Sequence, residues 1–126
     1  EAKVDTKHIK AFVKSRLFER MCSSEKLKRE MKFLTFLPAE KINGNVPENF
    51  KNEQIVVQGA VDCMFIEDGG VVIVDFKTDR VNDEKKLIDC YAEQLNIYAM
   101  ACEKITGLPV KEKIIYSLVL DSSIVV

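Results

Sequence analysis

The chain has 126 residues, 19 Lys/Arg against 20 Asp/Glu for a formal net charge of −1, and 47% hydrophobic residues. That length builds one domain with a sizeable core, and the balanced charge supplies no global basic field for nucleic acid. No run of 18 apolar residues occurs, so no membrane-spanning helix is expected, and neither a signal peptide nor a Walker phosphate loop is present.

Asp5 or Thr6 can cap a first helix, whose apolar stripe is Ile9, Phe12, Val13, Leu17 and Met21 and which ends near Ser23-Ser24. Residues 1–32 carry ten Lys/Arg and five Asp/Glu, a local excess of +5 against −6 in the remainder. A basic N-terminal face can meet a phosphate backbone, and it is equally what a solvated helix face looks like. Arg29 to Leu37 reads as a strand stopped by Pro38, and the Asn-rich residues 40–53 read as a surface loop. Gln54 to Ile66 and Gly70 to Phe76 read as two strands joined at Asp68-Gly69, a hairpin turn signal. A second helix is predicted from Asn82–Glu84 to Thr106, with Gly107 at its stop. Lys113 to Leu120 is the last full strand, and Ser122 to Val126 can form an edge. The order α-β-β-β-α-β indicates a sheet with helices packed on it. Cys22, Cys63, Cys90 and Cys102 have spacings of 41, 27 and 12, which match no zinc or iron–sulfur pattern, so reduced thiols in a cytoplasmic protein are expected.

The hairpin holds the chemistry. Val61, Cys63, Phe65, Val72, Val74 and Phe76 are expected on one face, and Ala60, Met64, Ile66, Val71 and Ile73 on the other, so it reads as central and covered on both sides. Into these apolar runs the sequence inserts Asp62, Asp75 and Lys77. With Asp68 and Gly69 as the loop, Asp62 falls opposite Asp75, and period-two alternation puts Lys77 on the same face. A Gly69-Gly70 turn would pair Asp62 with Lys77 and keep that face, while a three-residue loop would break it. Cross-strand carboxylates lie about 4.5–5.5 Å apart at Cβ and repel unless a cation sits between them. Acid oxygens suit Mg²⁺ or Mn²⁺, and the carbonyl of Phe76 can add a third ligand. The bland alternative is a pair of strand-end acids salt-bridged to Lys77. On the second helix, Tyr91, Gln94, Leu95, Tyr98, Cys102 and Ile105 share a core-facing stripe, with Gln94 one turn before Tyr98.

Gly59-Ala60-Val61-Asp62, then Asp75-Phe76-Lys77-Thr78-Asp79, then Gln94-Leu95-Asn96-Ile97-Tyr98 resemble the GxxD, DxK and QxxxY motifs of RecB-type nucleases in the PD-(D/E)xK superfamily. Arg29-Glu30-Met31-Lys32-Phe33 with Leu37-Pro38-Ala39, and Tyr91-Ala92-Glu93-Gln94-Leu95, are similar to AddA-type subunits of bacterial ATP-dependent helicase/nucleases. The resemblance implies an α/β, restriction-endonuclease-like core with a central mixed sheet flanked by helices. It implies a DNA exonuclease domain using Mg²⁺ or Mn²⁺, working in double-strand break processing and recombinational repair beside an AddB-type partner. Asp62, Asp75 and the Phe76 carbonyl would hold the metal, and Lys77 would be the catalytic lysine. Gln94 and Tyr98 would contact DNA or orient the site, and Glu30 would line it. The family's further His, in a GTxxH-like motif, is not matched by His8 in Asp5-Thr6-Lys7-His8-Ile9. Residues 1–126, starting at Glu1 rather than Met, are therefore expected to be a single nuclease domain cut from the C-terminal part of a longer helicase chain, with the motif helix upstream. A catalytically silent DNA-binding or assembly module of the same fold, and a stand-alone nuclease, are the competing readings.

Overall fold

The computed structural model describes residues 5–126. Two short helices come first, α1 (Thr6–Val13) and α2 (Arg16–Ser23), where the sequence predicts one. The break is chemical: Ser15 adopts extended geometry and its side chain accepts from the Phe18 N–H at 3.2 Å, capping a new helix. The change of direction leaves Ile9 and Val13 half exposed, while Leu17 and Met21 are buried. Asp5 is the cap of α1, accepting from the Lys7 N–H.

The sheet has five strands in the order β1-β2-β3-β4-β5. They are β1 (Lys26–Pro38), β2 (Gln54–Glu67), β3 (Gly70–Lys77), β4 (Val110–Ser117) and β5 (Ser122–Val125). The predicted loop at 40–53 contains a single helical turn, α3 (Ala39–Ile42), and a 3₁₀ turn, Glu48–Phe50. β1, β2 and β3 form an antiparallel meander; β3 and β4 are parallel and joined through α4 (Glu84–Thr106); β5 returns antiparallel on β4. The expected mixed sheet flanked by helices is the observed architecture.

The β2–β3 turn is the two-residue Asp68-Gly69 form, with φ 50° and 76°, pairing Glu67 with Gly70. Positive φ at both positions gives a turn whose twist matches the flanking strands. Val71 to Val74 are wholly buried, as expected for a central strand. On one face α4 packs Leu87, Leu95, Ala99 and Cys102 onto Phe33, Val57, Val61, Met64, Val71, Ile73 and Ile115. On the other, Leu17 and Met21 of α2 cover Cys63, Phe65, Val72, Val74, Ile114 and Tyr116. α4 begins on Asp83, which accepts from the Lys85 N–H, and stops at Gly107 in the left-handed region, φ 73°.

Two placements on the hairpin differ from the alternation. Val61 joins the cluster under α4 instead of siding with Cys63 and Phe65, and Ala60 is exposed. The side switch falls at Asp62, where the neighbouring β1 has Glu30 in the left-handed region at φ 51°. On α4, Gln94 is exposed and Ile105 is 49% exposed, so neither faces the core. Ile105 shares its side of the helix with the buried Leu87 but lies in the last turn of α4, beyond Cys102.

Candidate active site

The β2–β3 ladder runs from Glu67–Gly70 to Cys63–Val74 and ends there. One step further, the same register sets Asp62 opposite Asp75, as the two-residue turn requires. The strands part at this point, and the side chain of Asp62 replaces the ladder: its Oδ2 accepts from the Phe76 N–H at 2.9 Å. β3 meanwhile continues beside β4 through Lys77–Ser117. The strands therefore open a cleft at the C-terminal end of β3, where the sheet changes from antiparallel to parallel pairing. In β1, Glu30 lies between the Arg29–Cys63 and Met31–Val61 pairs and so opposite Asp62. A cleft of about 690 Å³ is lined by Arg29, Glu30, Asp62 and Phe76.

Lys77 and Asp75 form an ion pair of 2.8 Å, with side chains 21% and 12% exposed. Burial, followed by the hydrogen bond with Asp62, pushes the Asp75 carboxyl up to about 6, and the opposing pull of Lys77 does not offset these two effects. Burial works against the Lys77 charge, but the hydrogen bond and field of Asp75 outweigh it and its pKa is raised. Both groups thus hold protons more tightly than in water. The cleft has one positive charge too few for its carboxylates.

That imbalance is the test of whether a divalent cation suits the residues present. Two acids converging on one point, one of them buried and unwilling to ionise alone, are a hard-oxygen donor set that a cation would complete. Asp62 and Asp75 fit that role. Among the described residues no three His, Cys, Asp or Glu side chains cluster as a ready-made metal cage. His8 is elsewhere: its Nδ1 meets Asp121 Oδ1 at 2.8 Å, at the turn before β5.

The predicted helix residues divide. Tyr98 lies edge-on to Phe33, with ring centroids 5.1 Å apart, and directly over Gly59. A Cβ on Gly59 would sit 2.8 Å from the Tyr98 ring, so the glycine of Gly59-Ala60-Val61-Asp62 is what lets α4 approach β2. Gln94 is exposed on α4. Asp62, Asp75, Lys77 and Phe76 are brought together, Glu30 borders them, and Tyr98 anchors the helix behind. Two contacts escape the pattern reading. The Lys77 Nζ lies 4.0 Å from the centroid of the Tyr91 ring, and the Tyr91 hydroxyl donates to Asp79 Oδ2 at 2.8 Å. The signal was available: a half-buried tyrosine hydroxyl needs a partner, and Asp79 is the nearby acid that no metal role claims.

Comparison with known proteins agrees with this geometry. The family described as the PD-(D/E)XK nuclease superfamily matches residues 2–123. The A subunit of the ATP-dependent helicase/nuclease of Thermoanaerobacter sp. (strain X514) is 44% identical over 115 residues, covering 90% of this chain and 9% of its own length. The protein of the same name from Ligilactobacillus salivarius (strain UCC118) is 41% identical over 123 residues, 97% of this chain and 10% of its own. That from Clostridium botulinum (strain 657 / Type Ba4) is 39% identical over 114 residues, 90% of this chain and 9% of its own. The chain thus spans about a tenth of the length of these relatives. With a family match over almost its whole length and the two acids and lysine gathered where the strands part, the chain belongs to the PD-(D/E)XK nuclease superfamily.

Proposed function

We propose that this chain is a single nuclease domain that hydrolyses DNA phosphodiesters, acting within a longer helicase–nuclease that processes broken DNA ends for recombinational repair. The observation that carries this reading is the buried Asp75 facing Asp62 with Lys77 at 2.8 Å. Asp62 and Asp75, with the Phe76 carbonyl, would hold Mg²⁺ or Mn²⁺. A bound divalent ion would supply a more acidic water and charge neutralisation at the phosphate. Lys77, raised in pKa and still an ammonium at neutral pH, donates hydrogen bonds to the phosphate or to the attacking water. Glu30 lines the cleft beside Asp62 and can accept a hydrogen bond from that water. Arg29, at the same wall, offers a cation for the backbone of the strand being cut. Gln94 is exposed and open to DNA from α4, and Tyr98 fixes the distance between that helix and β2.

An AddB-type protein is the proposed partner of the longer chain, and a histidine from outside these residues is the proposed further metal ligand. The decisive experiment is Asp75→Ala and Lys77→Ala in the full-length helicase–nuclease, with DNA unwinding and DNA degradation measured side by side. Degradation should fall at least a hundredfold in each variant while unwinding persists. Degradation that survives both changes means that the domain serves as a silent DNA-binding or assembly module.

A further inference from the structure

We infer that Tyr91 is a positioning residue for Lys77. This rests on the nuclease role of Lys77. Lys77 is the last residue of β3, at the edge of the cleft, and a lysine there has four rotatable bonds with which to wander. Two contacts hold it. Its Nζ is 2.8 Å from Asp75 Oδ2 and 4.0 Å from the centroid of the Tyr91 ring. An ammonium within about 6 Å of a ring centroid is attracted by the ring's quadrupole, most strongly where water is scarce. Lys77 is 21% exposed, so water is scarce here.

The ring itself is fixed at both ends. Its backbone lies on α4 one turn after Leu87 and one turn before Leu95, both 1% exposed. Its hydroxyl donates to Asp79, in the short connection between β3 and α4. Asp79 thus ties the start of the connection to the helix that the connection leads into. The arrangement divides the lysine's bonds. One N–H goes to Asp75, the ring takes the field of the ammonium, and a further N–H is left for substrate. If a cation draws on Asp75, the ring still defines where the ammonium stands. A charged partner in place of Tyr91 would pull Lys77 away from the phosphate; a neutral aromatic face holds it without consuming its charge.

The test begins with the 126-residue chain, free of metal and DNA, with isotopically labelled lysine. The side-chain methylene protons of Lys77 should resonate upfield of the other lysines through the Tyr91 ring current. Tyr91→Leu should abolish that shift and Tyr91→Phe should keep it. Turnover is then measured in the full-length helicase–nuclease. Tyr91→Leu should lower kcat for DNA hydrolysis about tenfold or more with KM within about twofold, as misplacing a reacting group does. Tyr91→Phe should restore most of the rate, and Tyr91→Leu added to Lys77→Ala should cost nothing further. Identical Lys77 resonances in the wild-type and Tyr91→Leu chains overturn the inference. So does a Tyr91→Leu loss that adds fully to that of Lys77→Ala, because the tyrosine then acts independently of the lysine. If Lys77→Ala retains full nuclease activity, the role of Lys77 itself fails, a result separate from the ring-current measurement.

Discussion

At the scale of single residues, the metal role proposed for Asp75 is set against stability. The residue is 8% exposed and its pKa is raised from 3.8 to about 6, mostly by burial and then by Asp62. A raised folded-state pKa means that the neutral acid suits the fold and the carboxylate strains it. The associated stability is full below the unfolded value near 3.8 and is lost as pH rises through about 6. Asp75→Asn should therefore stabilise the metal-free domain at pH 7.5 by about 1–2 kcal/mol, allowing for solvent screening at the cleft. The gain should vanish below about pH 4, where Asp75 is already protonated. Urea denaturation at the two pH values checks this. The same variant should lose the heat of Mn²⁺ binding in calorimetric titration. A variant that is destabilised at pH 7.5 would mean that Lys77 depends on Asp75 more than Asp75 suffers from burial.

At the scale of elements, the pairing of α4 with β2 depends on one absent side chain. Tyr98 occupies the space a Cβ at Gly59 would need, at 2.8 Å. Gly59→Ala should cost about 1–3 kcal/mol by overpacking, and denaturant unfolding should show it as a lower midpoint with an unchanged slope. It should also depress nuclease activity, because α4 carries the residues behind the cleft. The two-residue turn at Asp68-Gly69 and the stretch Val71 to Val74 made this part of the fold legible in the sequence, since register and alternation follow from them. The juxtaposition of Asp62, Asp75 and Lys77 was legible for the same reason. Alternation failed at Val61, where Glu30 takes a left-handed backbone on the adjacent strand, a tertiary effect that no single-strand pattern encodes. It failed on α4 too, where periodicity gives the direction of a stripe but not which of its positions the sheet covers along the helix; Gln94 and Ile105 stay in solvent. The break between α1 and α2 was written in Ser15, a capping residue inside an apolar-periodic run.

At the scale of the molecule, two clusters at separate ends of the sheet give opposite responses to acid. By the hairpin turn, Arg20 of α2 bonds Glu67 at 2.9 Å and Glu112 at 2.6 Å, while Lys111 meets Glu67 at 2.8 Å. The hydrogen bonds from Arg20 and then Lys111 lower the Glu67 carboxyl to about 2. A depressed pKa contributes stability above the unfolded value near 4.5, lost as pH falls toward 2. Asp75 contributes in the contrary sense between about 4 and 6. The metal-free domain should therefore be most stable near pH 4.5, declining on both sides, in a series of thermal melts. Mn²⁺ should raise the limb above pH 6 and leave the limb below pH 4 unchanged. A single monotonic rise from pH 3 to pH 8 without metal would contradict the assignment of Asp75, and a monotonic fall that of Glu67.

The bond from the Phe76 amide to Asp62 has a further meaning. The backbone here has surrendered a strand-to-strand partner to a side chain, so a main-chain proton carries information about a carboxylate. Its resonance and exchange rate are a built-in gauge of what Asp62 is doing. Whatever draws electron density from that carboxylate, be it a proton, a cation or a phosphate-bound water, is registered one bond away in the sheet. The domain thus reports the state of its cleft through an atom that takes no part in the chemistry.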